Sequence, residues 1–170
     1  NKFAVFKPDG LNYAYHMDAS LYAKFMRKIA EQHGAKRIEG KIVEVGTNSD
    51  TGFIEHVQLT SGQKVEGDLF IDCSGSRALL LGEHYNVPLR SKKQFLFNDT
   101  ALAAQVPYNN PDDPIASCTL STAQTAGWIW DIALPTRRGV GYVYSSEYSN
   151  DLDAEIELRA YIESSIGKDE

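Results

Sequence analysis

Apolar residues recur at helical spacing near the start of the chain. Leu21, Phe25 and Ile29 follow one another at four-residue intervals, which places them on one face of an α-helix. Asp18 is a residue type that caps helix N-termini, and Gly34 is a type that ends helices. The pattern predicts an amphipathic helix whose apolar face packs against the rest of the domain.

A second helical pattern lies toward the other end of the chain. This helix is predicted to begin at about Asp151 and to stop at Gly167. Its apolar side is predicted to consist of Leu152, Ile156, Leu158, Ile162 and Ile166.

Short strand patterns separated by polar turns fill much of the region between the helices. Three of them predict a small antiparallel meander: Ile42–Val45, Phe53–Leu59, and a last strand into which Lys64–Gly67 leads. Four more predict a second antiparallel sheet with an aromatic face, at Thr100–Val106, Ile115–Ala123, Trp128–Leu134 and Val140–Ser145.

One apolar run is continuous rather than alternating. Leu69–Ile71 is typical of a strand buried on both faces of a parallel sheet. It leads into the small and polar residues Asp72–Gly75, and Ser76–Leu81 predicts a short helix. Such a unit can present backbone N–H groups to a phosphate or a cofactor, and a simple connecting turn has the same pattern. Both interpretations are open on the residues alone.

Two tryptophans in one predicted strand are the most unusual local feature. Trp128 and Trp130 are two residues apart, so they share one face with Ile132, whereas Ile129 and Asp131 share the other face. The pair can be sheet core beneath a covering helix. Alternatively, it can be a wall that screens a reactive cofactor or a planar substrate.

Composition limits the classes of function. The 170 residues correspond to one domain or to a piece of a larger one. The net charge of −6 arises in residues 147–170, which carry eight acidic and two basic residues, so no basic face for nucleic acid is predicted. No apolar run approaches the roughly 20 residues of a membrane span. The first residues do not resemble a secretion signal, so we expect a cytoplasmic protein.

The residues alone indicate no catalytic constellation. Cys73 and Cys118 can form one disulfide, although a reducing compartment favours two free thiols. Cys73 has no histidine beside it in the sequence, so its use as a nucleophile has little support. The four histidines lack the spacing of zinc ligands, and no metal site is predicted.

Four motifs, taken in order, resemble the flavin-dependent tryptophan halogenase family. They are Tyr-Ala-Tyr-His-Met-Asp-Ala at 13–19, Gly-Asp-Leu-Phe-Ile-Asp-Cys-Ser-Gly at 67–75, Gly-Trp-Ile-Trp-Asp-Ile at 127–132 and Gly-Tyr-Val-Tyr-Ser-Ser at 141–146. The Trp-x-Trp-x-Ile core is the feature that separates these halogenases from related flavin monooxygenases. The resemblance covers nearly the whole chain.

The resemblance implies both a fold and a chemistry. The fold is an α/β (α+β) domain like that of flavin monooxygenases, represented here in part by a parallel-sheet strand, the antiparallel meander and the second antiparallel sheet. The implied cofactor is FAD, reduced by a separate flavin reductase, with chloride or bromide as co-substrate. These reagents and oxygen give hypohalous acid, which reaches the substrate through a tunnel and halogenates tryptophan or a similar indole. A homodimer is a further option for the assembly.

The resemblance also assigns the family's site residues to matching positions of this chain. The resemblance places Ile42 where a strand backbone lies against the FAD adenine, and it places Cys73, Ser74 and Gly75 at the cofactor edge of the sheet. The signature residues Trp128, Trp130 and Ile132 are implied to line the flavin side. Where the family has a proline after this signature, the chain has Ala133, and Ser76 replaces a bulky residue.

The matched segment is expected to be internal to a longer enzyme. Residues 1–85 correspond to part of the FAD-binding region, 86–147 to the second sheet region and 148–170 to a helix. The family's Gly-x-Gly-x-x-Gly loop and active-site lysine are expected upstream, and its catalytic glutamate downstream, so no catalytic side chain is assigned here. The isolated segment is expected to be inactive and to bind FAD weakly. The alternatives are a flavin-dependent aromatic monooxygenase and a non-enzymatic α+β interaction domain.

Overall fold

A computed structural model describes residues 14–110, 112 and 114–165 of the chain. The chain divides into two compact units. One consists of Lys28–Ser91, and the other combines the described residues of 1–27 with those of 92–170. Among the described residues, no helix is long and apolar enough to cross a bilayer.

The Lys28–Ser91 unit contains a three-stranded antiparallel sheet, as the meander pattern predicts. Its strands β1 (Ile42–Thr47), β2 (Ile54–Leu59) and β3 (Lys64–Glu66) are arranged in chain order. The Asn48 side chain accepts backbone hydrogen bonds in the turn between β1 and β2, which fixes the connection locally.

The predicted parallel strand at Leu69–Ile71 is wrong. These residues adopt no strand, and Leu69 and Ile71 are 81% and 79% exposed. Both sheets of the described chain are antiparallel. An apolar run becomes a strand only where a neighbouring backbone accepts and donates its ladder hydrogen bonds, and these three residues have no such neighbour in the structure described here.

In place of the short α-helix predicted at Ser76–Leu81, the chain forms two helical turns, one tighter and one wider than an α-helix. A 3-10 turn spans Gly75–Arg77, and a π-helical turn spans Leu79–His84. Ala78 separates them with a left-handed backbone at φ +42°, which an alanine adopts only at some cost. The change of helix type follows from this kink.

The other unit contains a four-stranded antiparallel sheet. The strands are β4 (Thr100–Pro107), β5 (Leu120–Gln124), β6 (Gly127–Ala133) and β7 (Arg137–Tyr144), in the spatial order β4-β7-β6-β5. Three of the four predicted strands are confirmed. The predicted strand at Ile115–Ala123 begins only at Leu120, because β5 pairs with β6 from that residue onward.

Helix α2 (Asp151–Ser165) packs on one face of this sheet. Asn150 caps its first turn, where its side chain accepts from the backbone N–H groups of Leu152 and Asp153. The predicted apolar side of α2 is confirmed at Leu158, which is buried, and at Ile162, which packs against the core. It is wrong at Leu152 and Ile156, which are exposed, and Ala154 is buried in their place. The predicted end at Ile166 and Gly167 lies outside the described residues.

Helix α1 (Ala19–Gln32) has the predicted N-cap and terminus. Asp18 accepts from the backbone N–H groups of Ser20 and Leu21, and Gly34 has a φ of +94°. The predicted packing of its apolar face is absent from the described chain. The apolar residues of the helix remain exposed at Leu21, Tyr22, Phe25 and Met26.

Candidate functional site

The turn after the apolar run is organised by one carboxylate. Asp72 Oδ1 accepts from the Ser74 hydroxyl at 2.6 Å and from its backbone N–H at 3.1 Å. Asp72 Oδ2 accepts from the backbone N–H groups of Leu80 and Leu81 at 2.8 and 3.2 Å. These bonds, led by that of the Ser74 hydroxyl, lower the pKa of Asp72 to about 2. The carboxylate is therefore ionised at neutral pH and holds the turn closed.

The other predicted residues of this turn are accessible. Cys73 is an exposed free thiol, as is Cys118. Gly75 has a φ of +71°, which favours glycine, and a side chain there would meet no other atom within 4 Å. Ser74 Oγ accepts from the backbone N–H of Leu79 at 2.7 Å. The glycine thus supplies the bend, and the serine joins it to the next turn.

A cleft of about 190 Å³ lies within the same unit, between β1 and the two helical turns. Ile42, Val45 and Leu79 contribute its aliphatic lining, and Arg77 and Glu83 contribute charged groups. Two hydrogen bonds of 2.6 and 2.8 Å join the guanidinium of Arg77 to the carboxylate of Glu83. This pairing raises the pKa of Arg77 and lowers that of Glu83. The structure thus places Ile42 in a cleft whose lining includes the Arg77–Glu83 ion pair.

The Trp-x-Trp strand presents two different faces. Trp128 and Trp130 lie on one face, with ring centroids 6.2 Å apart and planes inclined at 62°. Trp128 is 38% exposed, whereas Ile129 and Asp131 on the other face are buried. Helix α2 covers the Ile129 face, where Ala154 and Leu158 join the core. Helix α2 is therefore not the covering helix that the interpretation of the tryptophans as sheet core requires.

Glycines in β6 and β7 allow two close approaches between these strands. A methyl group built at Gly141 would come within 2.0 Å of Trp130 Cζ2, and one at Gly127 within 1.9 Å of the backbone oxygen of Val143. Gly141 lies opposite Trp130 in the β6–β7 register. The indole of Trp130 therefore lies directly on the bare backbone of the neighbouring strand.

Polar contacts anchor the opposite face of this sheet. Asp131 forms a buried ion pair with Arg138, whose side chain also donates to the Ser165 hydroxyl of α2 at 2.9 Å. The Tyr161 hydroxyl donates to Asp131 at 3.2 Å. The Asp131 carboxylate raises the pKa of Arg138, so the guanidinium remains charged. These bonds fix the end of α2 to the sheet.

The 14–18 segment is bound to the same sheet. Asp18, besides capping α1, accepts a 2.6 Å hydrogen bond from Arg137. The ring of His16 lies 3.3 Å from the carbonyl oxygen of Ala133 and 3.2 Å from the Thr119 hydroxyl. The motif around His16 therefore has a structural role at the β6–β7 hairpin.

Sequence reasoning missed several residues of these sites. Arg77 and Glu83 are six positions apart and carry no pattern that predicts a pair. The contact of Trp130 with Gly141 depends on strand register, which the alternation of residues leaves unspecified. The sequence pattern predicts Asp72 only as part of a turn of small and polar residues, although an aspartate before a helical turn is a frequent cap.

Comparison with known proteins identifies the class to which these features belong. The family model described as tryptophan halogenase matches residues 1–170. The 7-chloro-L-tryptophan 6-halogenase KtzR of Kutzneria sp. (strain 744) is 41% identical over 150 residues, which is 88% of this chain and 29% of KtzR. The chain therefore spans less than a third of the length of this relative.

Solved structures of similar proteins agree with that result. A tryptophan halogenase from Shewanella frigidimarina NCIMB 400 is 46% identical with a TM-score of 0.79, over 89% of this chain and 29% of that one. Xcc4156, a flavin-dependent halogenase from Xanthomonas campestris, is 42% identical with a TM-score of 0.82, over 93% of this chain and 31% of that one. The chain belongs to the tryptophan halogenase family.

Proposed function

We propose that this chain is part of a flavin-dependent halogenase that acts on tryptophan or on another indole-like aromatic. The observation that carries the proposal is the Trp-x-Trp-x-Ile strand, whose two indoles stand on the open face of their sheet. The relatives are named as halogenases, and the tryptophan halogenase family model matches the whole chain, which includes this strand.

In this proposal residues 1–85 belong to the FAD-binding region of the enzyme, and the cleft beside Ile42 receives the adenine end of FAD. The lining residues Ile42, Val45 and Leu79 suit the face of a flat ring, and the ion pair of Arg77 with Glu83 supplies the charged part of the lining. The cleft is smaller than the roughly 300–1,000 Å³ of a complete ligand site, so it accommodates only one end of the cofactor. Cys73, Ser74 and Gly75 follow as the exposed turn at the cofactor edge.

Reduced FAD, when bound, supplies two electrons to molecular oxygen. The reduction of oxygen to two waters takes four electrons. The other two come from the substrate, on which the halide replaces a ring hydrogen. What the described residues do is different in kind. Ile42 and Leu79 contact the adenine end of the cofactor, and Asp72 keeps the turn in shape. The residues that line the side from which water and competing reactions are excluded are Trp128, Trp130 and Ile132.

Partners follow from this chemistry. A flavin reductase must supply the reduced cofactor, and chloride or bromide is the second substrate. The two free thiols suit a cytoplasmic location. The exposed apolar stripe of α1 is a surface that the rest of the enzyme, or a second copy in a homodimer, can cover.

The test uses the full-length protein that contains this chain. It is incubated with a flavin reductase, nicotinamide cofactor, FAD, air, chloride or bromide, and L-tryptophan or indole, and the products are identified by mass spectrometry. We expect a halogenated indole that depends on the halide. Hydroxylated product without halogenated product would instead establish the flavin monooxygenase alternative.

The cofactor cleft is tested separately. Leu79→Trp fills the cleft, whereas Leu81→Trp, two residues further along the same helical turn at a side chain that is 54% exposed, is the matched control. We expect the first variant to weaken FAD binding in a fluorescence titration by about tenfold, equivalent to about 1.4 kcal/mol, and the control to leave it unchanged. Equal affinities for the two variants would remove the cleft from the proposed FAD site.

A further inference from the structure

Small residues of the neighbouring strands lie beside Trp130. Gly141 lies opposite it on β7, and Ala103 lies opposite Gly141 on β4. Val143, the next residue of β7 on this face, pairs with Trp128 instead. Gly141 is therefore the residue of β7 that lies opposite Trp130.

The distances show which group must give way if position 141 acquires a side chain. A methyl group there would stand 2.0, 2.3 and 2.5 Å from Cζ2, Cη2 and Cε2 of Trp130, all atoms of the indole. Because the obstructing atoms belong to a side chain, the ring can rotate away while the strand stays in place. Gly127 differs, because a methyl group there would meet the backbone of Val143.

We propose that Gly141 is a positioning residue: by lacking a side chain it lets the Trp130 indole lie flat on β7 and so sets the direction of the Trp128–Trp130 wall. The proposal rests on the proposed function for its consequence, although the geometry stands without it. The edge-to-face packing of the two rings transmits a rotation of Trp130 to Trp128. A rotated wall opens the space where the halogenating oxidant is kept from water.

The chain offers a matched control on the same strand and face. Gly139 lies opposite Ile132, and a methyl group there would meet only the backbone oxygen of Ile132 at 4.0 Å, an ordinary contact. Gly139→Ala therefore tests the general cost of replacing a glycine in β7. Gly141→Ala adds only the conflict with Trp130.

The first readout is independent of activity. The full-length protein is labelled with 5-fluorotryptophan, and the Trp130 resonance is assigned with Trp130→Phe. We expect Gly141→Ala to shift the ¹⁹F resonances of Trp130 and Trp128, and Gly139→Ala to leave both in place. Unshifted resonances in Gly141→Ala, or equal shifts in both variants, would overturn the proposal whether or not the protein is a halogenase.

The second readout is the halogenated product formed per reduced flavin oxidised, with hydrogen peroxide as the competing product. We expect Gly141→Ala to lower this ratio about tenfold or more, since displacements of about 1 Å near reacting groups have effects of up to 100-fold. In the Trp130→Phe background, whose smaller ring removes the conflict, the same substitution should change the ratio less than twofold. Equal effects in the two backgrounds would contradict the proposal.

Folding provides the remaining check. Gly141→Ala alone could fail to fold because its methyl group conflicts with the Trp130 indole. In that case the double variant Trp130→Phe, Gly141→Ala should fold, because the phenyl ring leaves room for the methyl group. A double variant that also fails to fold would show that position 141 needs glycine for its backbone, and the positioning role would be lost.

Discussion

The two faces of the four-stranded sheet use the same strands for different purposes. On the α2 face, Ile129, Val140 and Tyr142 are fully buried, and the polar groups Asp131 and Arg138 are paired. On the other face, Trp128 is 38% exposed and Trp130 lies on a glycine. Alternation along one strand thus separates residues that hold the fold from residues that are available for chemistry. The largest aromatic side chains of β6 are on the open face, so size alone does not indicate the core.

The buried ion pair is the feature of the α2 face whose loss should cost most. Asp131→Ala leaves the Arg138 guanidinium without its carboxylate at a site where the two side chains are 5% and 13% exposed. We expect the free energy of unfolding to fall by about 3–5 kcal/mol, measured by urea unfolding of the full-length protein. Asp18→Ala, at the more exposed pair with Arg137, should cost about 1–2 kcal/mol through its lost cap. Equal losses would show that burial does not distinguish the pairs.

The two sides of helix α2 allow the next comparison. Leu158 is 6% exposed against the sheet, whereas Leu152 is 67% exposed. Leu158→Ala should lower the free energy of unfolding by about 2–5 kcal/mol. Leu152→Ala should change it by no more than about 0.5 kcal/mol. A large loss for Leu152→Ala would show that another part of the full-length protein covers this side of the helix.

Gly127 tests the backbone that both faces share. A methyl group there would meet the Val143 carbonyl oxygen at 1.9 Å, so β6 and β7 must separate locally. We expect Gly127→Ala to lower the free energy of unfolding by about 1–3 kcal/mol. Gly139→Ala should have little effect, and a comparable loss there would mean that strand glycines act through propensity rather than contact.

The smallest expected effect is a pH dependence on the α2 face. The Asp151 carboxylate, which accepts a hydrogen bond from the Tyr144 hydroxyl, raises the pKa of Tyr144 to about 12 from its ordinary value of 10.0. The raised pKa favours the neutral phenol in the folded protein. Its contribution to stability is therefore complete below about pH 10 and is lost as the pH rises toward 12.

Nuclear magnetic resonance of ring-labelled tyrosine measures this titration, with Tyr144→Phe as the assignment. Asp151→Asn should return the pKa of Tyr144 toward 10.0. A pKa near 10.0 in the unsubstituted protein would show that the hydrogen bond with Asp151 does not hold in solution.

Local patterns predicted much of this fold, and the failures have physical causes. The N-cap at Asp18 and the alternation in β6 depend on neighbouring residues, and both predictions are confirmed. The strand at Leu69–Ile71 failed because a strand needs a partner that its own sequence does not specify. The apolar side of α2 was predicted correctly at Leu158 but wrongly at Leu152 and Ile156, because these two residues are as apolar as those that pack.

The candidate site was predicted more from the family's sequence motifs than from the spacing of apolar and polar residues. The face shared by Trp128 and Trp130 followed from the two-residue period of a strand. The role proposed for them rests on the family resemblance, because exposure and register are tertiary properties. The cleft beside Ile42 could not be predicted without the fold, because Arg77 and Leu79 line it from a distant part of the sequence.

The most direct test compares one substitution on each face of the sheet in the full-length protein. Trp128→Leu and Leu158→Ala are each assayed for melting temperature and for halogenated product per reduced flavin oxidised, normalised to the folded protein. We predict that Trp128→Leu lowers the product ratio and leaves the melting temperature nearly unchanged, whereas Leu158→Ala lowers the melting temperature and leaves the ratio unchanged. An unchanged ratio in Trp128→Leu, or equal losses of ratio in both variants, would contradict the assignment of the tryptophan face to the reaction.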